Sequence, residues 1–163
     1  MTIERRDTPW VDEQVAAEIT AALDRYPTKR AATMSALHAV QDKHGWIPYQ
    51  AIEEIAELVE TSPSEVMDTA TFYEEYFLQP RGTYTIWVCQ SISCEIMNSD
   101  AIMEAVEEKL GIGAGETTED GRFTLMHVEC IGACGGAPCG LINHKLVENL
   151  TPENVGRIID ELE

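Results

Sequence analysis

No cysteine occurs in the first 88 residues of this 163-residue chain. All five follow, at Cys89, Cys94, Cys130, Cys134 and Cys139. Positive charge is scarce as well: 11 Lys and Arg stand against 29 Asp and Glu, a net charge of −18. That balance argues against nucleic acid, where affinity rests on Lys and Arg neutralising phosphates. It argues equally against an anionic membrane surface. An apolar run of about 18 residues is missing, so no direct membrane insertion is expected. The opening stretch to Trp10 lacks the apolar centre of a signal peptide. The expectation is a cytoplasmic protein that meets a membrane only through partners. There is no G-x-G-x-x-G and no P-loop. Gly111-x-Gly113-x-Gly115 follows a helical stretch instead of opening one, so it is not a phosphate cradle. An independent active site is therefore not expected.

What is present reads as a folded protein, with 44% hydrophobic and 25% charged residues. The length suits one domain, or a helical segment plus a second compact unit. Residues 11–77 read as helix after helix. Val15, Ile19, Ala22, Leu23 and Tyr26 recur at helical spacing up to Pro27. A second helix is expected after Thr28, with Met34, Leu37 and Val40 on one face and Gly45 as its stop. Ile52, Ile55, Ala56 and Val59 mark a third. Ser62-Pro63-Ser64-Glu65 combines an N-cap, a first-turn proline and a capping-box acid. The fourth helix is expected to carry Val66, Ala70, Tyr73 and Phe77.

After Pro80 the period changes. Tyr84–Val88 is aromatic and β-branched, a strand that runs into Cys89. Ile102, Ala105, Val106 and Leu110 mark a helix closed by Gly111. Phe123–Glu129 is a second strand, which runs into Cys130. Two short strands around Asn143-His144 and a helix capped by Thr151-Pro152 complete a β-α-β-β-β-α order. The fold class is α/β, a small helical bundle over residues 1–79 followed by a thioredoxin-like unit over residues 80–163.

The cysteines form C-x4-C (Cys89, Cys94) and C-x3-C (Cys130, Cys134), each directly after a strand. If the strands are parallel neighbours, both pairs emerge at the carboxyl end of the sheet, where open α/β sheets bind ligands. Four thiolates can then converge on one metal centre. Clustered thiols in a reducing compartment point to metal or redox chemistry, and an odd count fits a disulfide framework poorly. A [2Fe–2S] cluster takes four thiolates, two for each iron, which suits separated pairs. Glycines around the second pair let backbone N–H groups approach sulfur, and Ser91 and Ser93 are polar neighbours of the first. Structural zinc usually has closer C-x2-C pairs. Zinc and buried or redox thiols stay open on spacing alone. A Rieske centre needs two histidines, and His127 reads as an ordinary strand residue.

These residues resemble a known family. Cys89-x4-Cys94, Gly115–Leu125 and Glu129-Cys-Ile-Gly-Ala-Cys-Gly-Gly-Ala-Pro138 are similar to the thioredoxin-like [2Fe–2S] subunit of NADH:quinone oxidoreductase, respiratory complex I. His44–Pro48, Ala70–Tyr73 and Leu150–Glu153 extend the resemblance to nearly the whole chain. It implies a bundle followed by a thioredoxin-like [2Fe–2S] ferredoxin domain. It implies that Cys89, Cys94, Cys130 and Cys134 hold the iron of one [2Fe–2S] cluster. It implies single-electron exchange with the FMN of a partner subunit that binds NADH, among other peripheral-arm subunits of complex I. The same type of subunit serves NAD(P)-linked hydrogenases and formate dehydrogenases. A zinc-stabilised interaction module is the alternative of a different class. Cys139 departs from the family, which usually has an apolar residue there, and is expected to be a small buried hydrophobe. Pro138 is a candidate cis-proline. Met97 and Met126 read as core filler, Trp46 and Phe72-Tyr73 as core or interface packing, and Met67 and Phe72 as apolar residues off the core face.

Overall fold

The computed structural model describes residues 5–162, and its chain divides into two compact units that part between Pro80 and Arg81. In the first unit, α1 (Glu13–Leu23), α2 (Thr33–His44), α3 (Tyr49–Leu58) and α4 (Pro63–Phe72) follow one another through brief connections. Local chemistry sets their ends. The Asp12 side chain accepts hydrogen bonds from the backbone N–H groups of Gln14 and Val15. Gly45 ends α2 in the left-handed region at φ 81°. Ser62 and Glu65 form the full reciprocal capping box, with Pro63 at the first position of α4. Val15, Ile19, Leu37, Val40, Ile52, Ile55 and Val66 make one buried core.

Three details differ from the sequence reading. Thr28 opens a turn of 3-10 helix at Lys29–Ala32, and α2 itself starts at Thr33. The fourth helix stops at Phe72, because Tyr73 turns to extended backbone. Phe77 is nevertheless buried, while Tyr73 is exposed. A buried Gln41 accounts for the position of Phe77: its side chain accepts from the Phe77 N–H at 2.8 Å and donates to the Glu75 carbonyl at 2.7 Å. That polar anchor holds the post-helix segment in place of helical hydrogen bonds. Met67 packs against the bundle core, so only Phe72, 77% exposed, lies fully off it.

The second unit is an α/β layer structure. Its strands are β1 (Tyr84–Cys89), β2 (Phe123–Val128), β3 (Gly140–Ile142) and β4 (Lys145–Val147). They form one sheet in the order β2-β1-β3-β4. β1 and β2 are parallel, with Cys89 paired to Val128, and β1–β3 and β3–β4 are antiparallel. A short helix, α5 (Ile92–Ile96), lies inside the first cysteine loop. It leaves no period in the sequence, because it is barely more than one turn. α6 (Ser99–Leu110) crosses over between the parallel strands, and α7 (Pro152–Asp160) closes the unit under a Thr151 capping box. Ile86, Val88 and Leu125 from the sheet meet Ile102, Val106, Val155 and Ile159 from these helices. The alternate residues of β1, Thr85, Trp87 and Cys89, are buried too, as befits a central strand covered on both faces. The Ala137–Pro138 peptide is cis.

Candidate metal centre

The parallel register carries both cysteine loops to the same end of the sheet. Cys89 is the last residue of β1 and pairs with Val128, so Gln90 and Glu129 leave the sheet side by side. Glu129 then straps the two loops together. Its carboxylate accepts from the Gln90 side-chain amide at 3.0 Å and from the Ser91 hydroxyl at 3.2 Å. The next residue along is Cys130. The charged acceptor makes these the stronger kind of hydrogen bond, although their exposure tempers it.

The five thiols fall into two groups. Cys89, Cys94 and Cys139 are buried, and their sulfurs all lie within 4.8 Å of one another. Within this group the Cys94 and Cys139 sulfurs are 3.6 Å apart. Cys130 and Cys134 are exposed, with their sulfurs also 3.6 Å apart. So the structure sets Cys130 beside Cys134 and Cys89 near Cys94, and among the described residues no group of close thiols includes all four. It also adds Cys139, which is buried as expected and lies beside the Cys94 sulfur. The cause is the β1–β3 pairing: Val88 faces Gly140, and the Cys89 N–H donates to the Cys139 carbonyl at 3.1 Å.

The electrostatics of the buried group are shaped by burial and by backbone dipoles. Burial pushes the Cys89 thiol up, the Ser91 N–H hydrogen bond opposes that, the neighbouring Cys94 thiol adds to it, and the Ile131 N–H opposes it again. Cys139 is pushed up to about 12, first by burial and then by Cys94 and Cys89. The Ile131 amide comes from the second loop, between Cys130 and Gly132. The second loop therefore contributes to the electrostatics of the buried group through its backbone. Gly132 makes the turn possible, since its φ of 80° is costly for any residue with a Cβ. Met97, read as core filler, is exposed, and Ile92 (72% exposed) and Ile96 (76% exposed) join it around the first loop. Ser91 donates to Glu129 through its hydroxyl, and its amide lowers the Cys89 thiol against the effect of burial.

The donor set decides which group fits. The buried group holds sulfur alone, with neither histidine nor carboxylate in it. Soft thiolates with inward-pointing amides suit iron–sulfur chemistry, in which N–H groups offset charge on sulfur. A family model described as thioredoxin-like [2Fe-2S] ferredoxin matches residues 19–163. The chain belongs to that family. A subunit of the NADH-quinone oxidoreductase of Pseudomonas aeruginosa is 37% identical, over 92% of this chain and 90% of the relative. A subunit of the Thermus thermophilus enzyme is 44% identical, over 81% of this chain and 73% of the relative. Its counterpart from Rickettsia felis is 42% identical over 85% of both chains. Among solved structures, an NAD+-reducing [NiFe]-hydrogenase in the H2-reduced state superposes with a TM-score of 0.68 at 23% identity. The match covers 85% of this chain but only 23% of that one, and it bears on the fold alone. As a member of the family, the chain is an electron-transfer subunit of the NADH-quinone oxidoreductase type, and its cofactor is a [2Fe–2S] cluster. Among the described residues, no helix is long and apolar enough to cross a membrane.

Proposed function

We propose that this chain exchanges single electrons with the FMN of an NADH-oxidising partner subunit, and that Cys89, Cys94, Cys130 and Cys134 hold its cluster. The observation that carries this reading is the parallel register of β1 and β2, which brings both cysteine loops to one end of the sheet. When bound, the cluster supplies a one-electron acceptor, which a flavin needs if the two electrons of NADH are to leave it singly. The chain's own residues prepare that place. Cys89 and Cys94 offer sulfur from a buried wall, and Cys130 and Cys134 offer it from the exposed side. The Ser91 and Ile131 amides favour the Cys89 thiolate against the opposing effect of burial. Glu129 keeps the two loops in register.

The exposed apolar group of Ile92, Ile96 and Met97 lies on and next to the loop that carries Cys94. An apolar surface beside a redox centre suits a partner that must come close, since electron transfer needs proximity. The flavin-bearing subunit is the partner this reading assigns. Other peripheral-arm subunits join it, and the chain reaches the membrane face through them. The test starts with the purified chain under anaerobic conditions. It should contain about two irons, show an EPR signal after dithionite, and give no NADH–ferricyanide turnover. Turnover should appear when the flavin subunit is added and co-purifies. Turnover by the flavin-free chain alone, or an iron-free chain that still binds the partner and supports its activity, would overturn the reading.

A further inference from the structure

We infer that Cys89, Cys94 and Cys139 form a second, mononuclear site for a thiophilic monovalent cation, Cu(I), in the cluster-free chain. The geometry fits before any ligand is added. Three thiolates about 2.3 Å from one ion stand about 4.0 Å apart in a plane and about 3.8 Å apart in a tetrahedron. The Cys94 and Cys139 sulfurs are 3.6 Å apart, and all three lie within 4.8 Å of one another. The Cys94–Cys139 pair is within a few tenths of an ångström of the planar spacing, and the other two pairs, at no more than 4.8 Å, need to close by at most about 0.8 Å.

Burial selects the ion. The three residues are only 1–2% exposed, so bulk water is poorly placed to complete a coordination shell. Zinc in proteins is almost always four-coordinate, with water filling a missing position, whereas soft sulfur donors select Cu(I). A site with three sulfurs and no carboxylate or histidine matches the softer ion. Binding replaces the thiol protons, which leave to solvent, and the ion keeps its oxidation state, so no electron moves. Backbone elements carry all three: Cys89 ends β1, Cys94 lies on α5, and Cys139 precedes β3 with its carbonyl bonded to the Cys89 N–H.

The consequence rests on the proposed cluster ligands. Cys89 and Cys94 belong to both sets, so an ion seated on the buried trio withholds two of the four cluster thiolates. Cys139 is what turns a pair into a trio. It gives this chain a copper-sensitive step in cluster assembly that an apolar residue at position 139 removes.

The experiment titrates the reduced, cluster-free full chain with Cu(I) in competition with a chromophoric Cu(I) chelator. The wild type should bind at least one ion per chain, and copper X-ray absorption of the Cys130→Ala/Cys134→Ala variant, which lacks the exposed thiol pair, should show a shell of three sulfurs at about 2.2–2.3 Å. Cys139→Ala and Cys139→Ser should each weaken binding at least about tenfold, since even outer-shell changes cost that much. The double variant Cys130→Ala/Cys134→Ala should bind within about twofold of wild type. Far-UV circular dichroism of every variant separates lost affinity from lost fold. Wild-type affinity in both folded Cys139 variants, or loss of the ion in the Cys130/Cys134 double variant, would overturn the proposal. Iron content of reconstituted Cys139→Ala reports separately on the cluster ligands: loss of iron there contradicts the four-ligand reading and leaves the copper result standing.

Discussion

The two units of this chain are ordered by different means. In the helical unit the element ends are set within a few residues of themselves. Asp12 caps α1, Gly45 stops α2, and Ser62 and Glu65 box α4. In the α/β unit the chemically important neighbours are far apart in sequence. Cys89 meets the Ile131 amide and the Cys139 carbonyl because β1 pairs with β2 on one side and β3 on the other. The first unit has no thiol and should lose stability piecemeal when a cap is cut. The second concentrates its function in a few atoms whose positions depend on the whole sheet. Perturbations should therefore be graded and local in one unit, and abrupt in the other.

The sharpest test of that contrast is ligand removal. Cys89→Ser, Cys94→Ser, Cys130→Ser and Cys134→Ser should each abolish or grossly alter the cluster, because a hard oxygen donor replaces soft sulfur. Iron analysis and EPR read this directly, and an unaltered cluster in any of the four would strike that residue from the ligand set. Cys139→Ala should retain about two irons per chain.

Core truncation comes next. Leu125 is fully buried under α6 and α7, and Leu125→Ala should cost about 2–5 kcal/mol. Ile55→Ala in the bundle core should cost a similar amount. Urea titration measures both. If the contrast holds, the first change also loosens iron and the second leaves the EPR spectrum alone.

A smaller effect belongs to the capping box of α4. Ser62→Ala should destabilise the bundle by about 1 kcal/mol with no change at the cysteines. Glu65 adds a pH dependence. Hydrogen bonds from Thr61, the Ser62 N–H and the Ser62 hydroxyl hold its carboxyl down at about 2, with help from Arg30. A carboxyl lowered by folding stabilises the folded state above its unfolded value near 4.5. That contribution fades as the pH falls from about 4.5 through about 2. Glu65→Gln should flatten this acid limb in thermal melts between about pH 5 and pH 2; an unchanged limb would mean that other carboxylates set it.

The least disruptive cut should be the one between the units. A fragment of residues 80–163 contains both cysteine loops and the whole sheet with its two long helices. We expect it to fold and to hold the cluster alone. A folded but iron-free fragment, beside an iron-containing full chain, would show that the bundle is needed for the site.

Much of this is legible in the sequence for a physical reason. Helix periodicity, caps and stops act between residues three or four apart, so Val15 to Val66, Ser62–Glu65 and Gly45 announce themselves. The strands that lead into Cys89 and Cys130 are equally local signals, and so is the soft-donor character of the thiols. The short α5 and the early end of α4 are less visible, because one turn has no period and the Gln41 anchor on Phe77 lies 36 residues away in sequence. What only the tertiary structure decided is which sulfurs share a place. Local pattern treats Cys139 as a small buried residue after a proline. The antiparallel register of β1 with β3 sets it beside Cys94, and the parallel register of β1 with β2 brings the Ile131 amide and Glu129 to the first loop. Strand pairing is a long-range choice, made by burying Ile86, Val88 and Leu125 under α6 and α7, and no window of neighbouring residues contains it.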